Sequence, residues 1–384
     1  MKKFWNLAFI LLLLGGLLAG LLRTVFAPKE LNTYENRYAA KIDRPSVSGY
    51  ADGSFQSSLE AALNDQVPLA QTFKKIYNAA SSRLELALLK PLTRPGRYFR
   101  LGDVSLFSGC LTYDTRDLTV EEPKLTARAE NLNAIFAAHP DVSFYTYYIE
   151  KDTDVNFETG ARIHADDFLF AQLELPQERM GKFEVADFSD FSSYFYKTDH
   201  HWKYTGSYRA YCALLPFLGC TDEPLTPLET RTVGEFSGSK AAGTGVEGFS
   251  EPFEAYRFAF PAMDITRNGA PAEDYGAQDA DFAALGIPLS YGAFYGGDDG
   301  EVVFDTHRAD RENLLILGES YDNAIDKLLA SHFGRTYVVD LRYYESSLGK
   351  PFALDAYLRE HNITKVLLIG NIDFYVSPDF VLED

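Results

Sequence analysis

Three nearly unbroken apolar runs, 314–317, 336–341 and 365–369, lie close together near the end of the chain. Their apolar side chains occupy consecutive positions, so both faces of each strand must be buried. A strand with one wet face would alternate apolar and polar residues instead. Helical patterns over 323–333 and 352–361 separate the runs. That rhythm predicts an α/β fold: a parallel sheet with helices on both faces. It begins upstream, with a helix over 119–139 that places Leu125, Ala129, Leu132 and Ile135 on one face, and a strand over 142–148. A helix is expected over 168–184 and another over 205–218, capped by Thr205. Residues 221–310 are Gly-rich and aromatic without a clear period, and read as an insertion of loops and short strands.

The N-terminal part differs. Met1-Lys2-Lys3 precedes an apolar run over 4–22. Nineteen helical residues reach roughly 28 Å, a bilayer core. Val25-Phe26-Ala27 is a poor cleavage site, so residues 1–27 read as an uncleaved signal anchor with Lys2 and Lys3 inside. This expects a single-pass protein in the cell membrane, with the bulk of the chain extracytoplasmic. Residues 28–115 read as a tether and helical stalk: a Pro-punctuated stretch to 50, two helices over 55–89 broken at Asn64-Asp65-Gln66-Val67-Pro68, and a short β element over 91–109. Residues 116–384 form the expected catalytic domain.

Lys plus Arg total 36 and Asp plus Glu 55, a net charge of −19, which argues against nucleic acid as a partner. The three cysteines, Cys110, Cys212 and Cys220, make no zinc-ligand spacing. Cys212 and Cys220 are close enough in sequence to pair, and free thiols are equally compatible with the pattern.

Two stretches carry chemistry. Asp199-His200-His201-Trp202 packs an acid, two imidazoles and an indole together immediately before a helix. Gly318-Glu319-Ser320-Tyr321 ends the 314–317 strand. In open α/β sheets, ligands bind outside the carboxyl ends of the strands. Ser320 would be the nucleophile, His201 its base and Asp199 the group that orients the imidazole. The helix after Ser320 is expected to aim free N–H groups at an oxyanion. Asn371 and Arg342, past two further strands, and Tyr321, beside the serine, are the oxyanion and substrate-binding candidates. A bland reading makes Ser320 a helix cap and Asp199-His200-His201 a polar network. A further reading makes these three residues metal ligands, with His164 as another. We expect no metal and no cofactor.

Thr198-Asp199-His200-His201-Trp202, followed by Tyr204, Gly206 and Tyr208, resembles the signature of the bacterial DHHW protein family. That family is similar to the alginate O-acetyltransferase proteins of the SGNH-hydrolase-like group, in which Asp-x-His-Trp precedes a Gly-x-Ser motif. The resemblance covers roughly residues 120–384. It implies a three-layer α/β/α SGNH-hydrolase-like domain, with Asp199, His201 and Ser320 on the catalytic triad and His200 on a variable position. Arg342 falls near a substrate-binding arginine, and Asn371 is our own inference from the SGNH asparagine. The serine motif here is Gly-Glu-Ser-Tyr, which sets Glu319 facing the site. The resemblance implies O-acetyltransferase or esterase activity on a cell-surface polysaccharide, and a membrane acyl-transporting O-acyltransferase as partner. The alternative is a non-catalytic glycan-binding or assembly component.

Overall fold

The structure, a computed structural model, describes residues 2–383 apart from 27–30, 33–36, 39, 43, 67–69, 245, 277–279 and 286–288. It divides into two compact units: Met1–Leu89 with Val246–Gly248, and Lys90–Gly245 with Phe249–Asp384.

In the first unit, the apolar run forms one 25-residue helix, Lys2–Phe26. Among the described residues, however, no helix is long and apolar enough to cross a membrane. Ser54–Gln66 and Ala70–Leu92 are the two helices expected further on, and part of the break between them lies outside the described residues. The tether is not wholly irregular, since Val47–Asp52 is helical and capped by the Ser46 side chain, which accepts from the Gly49 N–H.

The second unit is built on an eight-stranded sheet. We number its strands in chain order: β1 Ser143–Ile149, β2 Met180–Phe183, β3 Asp264–Arg267, β4 Ala270–Ala272, β5 Glu301–Asp305, β6 Asn313–Leu317, β7 Arg335–Val339 and β8 Ile363–Gly370. Their spatial order is β4-β3-β5-β7-β6-β8-β1-β2. The five strands β7, β6, β8, β1 and β2 are mutually parallel, and β5, β3 and β4 extend the sheet antiparallel beyond β7.

The continuous apolar runs act as expected. Leu314, Ile316, Val338, Leu367 and Ile369 join the core on one face, with Tyr211, Leu214 and Leu215 of helix α2 (Tyr204–Phe217). Leu315, Leu317, Val339, Val366 and Leu368 join the core on the other, with Leu125, Leu132 and Ile135 of helix α1 (Leu118–Ala138). Side chains therefore alternate between two dry faces, which makes three layers.

Four expectations are corrected. Residues 168–184 are not one helix: Ala165–Phe170 is helical, Pro176 lies in the break, and Met180–Phe183 pairs with β1 as the edge strand. Helix α2 is preceded by Lys203 rather than capped by Thr205, whose hydroxyl donates to the Ser193 carbonyl. Residues 221–310 are not only an insertion, since they supply β3, β4 and β5. The pattern over 323–333 yields a 3-10 turn, Asp322–Ala324, and a five-residue helix, Asp326–Ala330. All three cysteines are free.

Candidate functional site

The parallel strands β1, β6, β7 and β8 end on one edge of the sheet, at Ile149, Leu317, Val339 and Gly370. Ser320 follows β6 there. A Cβ on Gly318 would lie 2.0 Å from Asp322 Oδ2, so a side chain at position 318 would have to push the buried Asp322 carboxylate aside.

The Asp199-His200-His201-Trp202 stretch reaches the same edge as a tight loop. Its base is closed by an antiparallel bridge between Phe195 and Trp202 and by the Tyr196 N–H, which donates to the His201 carbonyl. A spacing of two then suffices. Asp199 Oδ1 accepts the His201 backbone N–H at 3.0 Å and lies 2.6 Å from His201 Nδ1. This is a local side-chain turn of the kind aspartate favours. His201 Nε2 lies 2.8 Å from Ser320 Oγ. The path from carboxylate through imidazole to hydroxyl is continuous, with both distances inside the hydrogen-bonding range.

The surroundings fix this relay. The Ser239 N–H donates to Asp199 Oδ2 at 2.7 Å. Burial alone would raise the Asp199 carboxyl, but the His201 and His200 imidazoles and the Ser239 N–H hold it well below the usual carboxylate range. Tyr291 stacks flat on the His201 ring, with centroids 3.8 Å apart and planes 3° apart. The Tyr291 hydroxyl accepts from Trp202 Nε1 at 3.1 Å, and Trp202 is fully buried. Ring, indole and carboxylate thus leave His201 one orientation. Ser239 and Tyr291 both come from the irregular region, and their sequence context carries no signal for this role.

The remaining candidates divide. Tyr321 is buried, and its hydroxyl donates to the His200 carbonyl, so it ties the two motifs together rather than facing a ligand. Asn371 is buried too. Its Nδ2 donates to Glu319 Oε1 at 2.5 Å and its Oδ1 accepts the Asp373 N–H at 2.7 Å. The amide expected to meet an oxyanion is therefore directed at Glu319. Arg342 is held by Asp340, through Nη2 at 2.6 Å and through Nε to both carboxylate oxygens. The chain after Ser320 runs through the 3-10 turn Asp322–Ala324 before the short helix Asp326–Ala330 begins.

Glu319 is buried. Burial pushes its carboxyl up to about 7, with Lys151 pulling it down and Asp373 pushing it up. His200 is half-buried, and its Nδ1 lies 2.6 Å from Ser239 Oγ. It lines a cavity of about 390 Å³ with Tyr113, Arg116, Lys151 and Asp373 among others. Lys151 is buried, with Nζ 3.1 Å from Asp373 Oδ2. Asp199, His200 and His201 offer donor atoms within 4.8 Å of one another. Both nitrogens of His201 already have partners in Asp199 and Ser320, and His200 Nδ1 faces Ser239. His164, raised as a further ligand, is exposed and sits beside Asp167.

A three-layer α/β domain with a serine, histidine and aspartate hydrogen-bonded at the carboxyl edge of its parallel strands is the class this geometry defines. Within it, the model of the DHHW protein family matches residues 168–339, which contain both motifs, so the chain resembles that family as its motif implies. A DHHW family protein from Eubacterium siraeum is similar in structure, with a TM-score of 0.59 at 17% identity over 75% of this chain and 98% of that one. Bacillus cereus PatB1 is similar with a TM-score of 0.56 at 16% identity, over 74% of this chain and 99% of that one. The O-acetyltransferase domain of Pseudomonas putida AlgJ is more distant, with a TM-score of 0.41 at 11% identity, over 73% of this chain and 98% of that one. No curated protein matches the chain in sequence.

Proposed function

We propose that this protein is an extracytoplasmic serine O-acyltransferase or acyl-esterase acting on a cell-surface polysaccharide. One observation carries the reading: the unbroken path from Asp199 Oδ1 through His201 to Ser320 Oγ, at 2.6 and 2.8 Å. A serine hydroxyl is a weak nucleophile until a base takes its proton. Ser320 Oγ attacks the acyl carbonyl carbon as His201 Nε2 takes its proton, and Asp199 stabilises the imidazolium. The tetrahedral intermediate collapses with the donor's oxygen leaving on the proton His201 returns. A sugar hydroxyl or water then attacks the acyl-enzyme, its proton passing to His201, and Ser320 is released.

Acyl groups activated in the cytoplasm do not cross a membrane unaided, so a transferase of this kind needs a membrane acyl-transporting partner. The apolar run over 4–22 is the sequence feature that supports a place at the membrane, with the rest of the chain outside the cytoplasm. Cell fractionation with protease protection tests that placement, and a soluble cytoplasmic protein would refute it.

The activity is tested with a chromogenic acetyl ester. Turnover by the wild-type protein and at least a hundredfold loss in Ser320→Ala support an acyl-enzyme mechanism. A folded wild-type protein with no turnover, and with glycan binding unchanged in Ser320→Ala, would favour the binding or assembly component.

A further inference from the structure

A second cluster of metal-ligating side chains lies at the opposite edge of the sheet, away from Ser320. Cys220 and Asp222 sit in the turn after α2, and His332 sits between the helix Asp326–Ala330 and the start of β7. The turn is pinned there by the Cys220 N–H, which donates to the Leu215 carbonyl at 2.8 Å, and by Lys365 at the start of β8, whose Nζ donates to the Leu218 carbonyl at 2.9 Å. We propose that Cys220 Sγ, Asp222 Oδ2 and His332 Nδ1 form a divalent-metal site suited to Zn²⁺, which clamps α2 to the amino ends of the parallel strands.

Donor atoms of the three residues lie within 4.8 Å of one another. His332 Nδ1 and Asp222 Oδ2 are 3.3 Å apart. That is long for a charge-assisted hydrogen bond, which runs at about 2.7–2.9 Å. It matches the edge of a tetrahedron with bonds of about 2.0–2.1 Å, the Zn–N and Zn–O lengths. Thiolate, imidazole and carboxylate are the ligand types zinc takes, and water completes the tetrahedron on the open side of this half-buried turn.

The outer contacts fit as well. His332 Nε2 lies 2.7 Å from Tyr211 Oη, and Tyr211 Oη accepts the Leu225 N–H at 2.7 Å. On metal binding, Nε2 carries the imidazole proton and donates it to Tyr211, leaving the Nδ1 lone pair for the metal, while the Cys220 thiol gives its proton to solvent. A ligating histidine held through its other nitrogen is the usual arrangement. Arg311 Nη2 holds the other Asp222 oxygen, Oδ1, at 3.1 Å. Arg308 also faces His332. Thiolate and carboxylate together cancel the ion's two charges, so these arginines do not meet an uncompensated cation. The sequence gives no zinc spacing here, because His332 joins Cys220-Thr221-Asp222 only through the fold.

The test strips the purified full-length protein with chelator and titrates it with Co²⁺ and then Zn²⁺. One equivalent of Co²⁺ should bind with a thiolate-to-cobalt charge-transfer band, and Zn²⁺ should abolish it. Cys220→Ser, at a half-buried position, should lose the band and weaken zinc binding at least tenfold, and His332→Gln should do the same. Cys212→Ser and His200→Ala should leave both unchanged. Absence of the band, affinity in Cys220→Ser within threefold of wild type, or binding lost in His200→Ala would each overturn the site. None of these readouts uses ester turnover, so the outcome stands apart from the reading of Ser320.

Discussion

Gly238→Ala tests the relay through a residue that never touches substrate. A Cβ at position 238 would lie 2.3 Å from Asp199 Cβ, 2.4 Å from its Oδ2 and 2.7 Å from its Cα. Non-bonded carbons settle at about 3.5–4.0 Å, so Asp199 must retreat by more than about 1 Å. The crowding falls on the base of the Asp199 side chain as well as its tip, so rotating the carboxylate cannot relieve it. Asp199 Oδ1 now sits 2.6 Å from His201 Nδ1, and Oδ2 is held by the Ser239 N–H at 2.7 Å. A shift of that size breaks at least one of these bonds. Misplacing a catalytic group by about 1 Å costs roughly a hundredfold, close to 3 kcal/mol of transition-state stabilisation. Overpacking itself costs about 1–3 kcal/mol of stability, so folding is checked alongside by circular dichroism and thermal melting. The assay is kcat and KM on an acetyl ester, and the loss should appear in kcat with KM little changed. A folded Gly238→Ala protein with kcat within threefold of wild type would refute the claim that Asp199 is held by close packing against Gly238.

Other outcomes follow from the same geometry. Tyr291→Phe keeps the ring against His201 but leaves the buried Trp202 Nε1–H without its acceptor, so stability should fall by about 1–3 kcal/mol with turnover within a few-fold, measured by chemical denaturation and ester assay. Tyr291→Ala removes the stack as well and should lower kcat at least tenfold. Glu319 is raised by burial to about 7, above the ordinary carboxylate value, so the proton it binds favours the folded state. Its contribution is fully present below the unfolded pKa and is lost as pH rises through about 7, at most about 3 kcal/mol. Asp154, buried against Tyr148 and also raised to about 7, acts in the same direction. Thermal stability should therefore fall between pH 5 and about 8, and Glu319→Gln, which keeps an acceptor for the Asn371 amide, should flatten that slope. An unchanged slope would show that Glu319 does not titrate in this window.

Much of the frame was legible because it depends on local pattern. Strands β6, β7 and β8 are apolar at consecutive positions, and only a sheet covered on both faces accepts such runs. The two motifs were legible because an aspartate two residues before a histidine can close a local turn, and because a serine after a buried strand must emerge at its carboxyl end. What could not be read depends on contacts between distant segments. Nothing around Gly238, Ser239 or Tyr291 marks them as walls of the site, because their roles exist only once 221–310 folds back over Asp199 and His201. Residues 168–184 misled because an apolar stretch with a helical period also fits a short helix followed by an edge strand, and pairing with β1 decides between them. Asn371 and Arg342 follow β8 and β7 as their place in the sequence implies, but their contacts with Glu319 and Asp340 depend on segments far apart in the chain or on local rotamers and could not be read from the pattern.

The central claim is that Ser320 is a nucleophile activated by His201. The most direct measurement is intact-mass spectrometry of the protein quenched during turnover of an activated acetyl ester, with peptide mapping of any adduct. The account predicts a mass increase of one acetyl group, mapped to Ser320, absent in Ser320→Ala and strongly reduced in His201→Ala. An adduct on another residue, or none in folded protein under turnover, would contradict it.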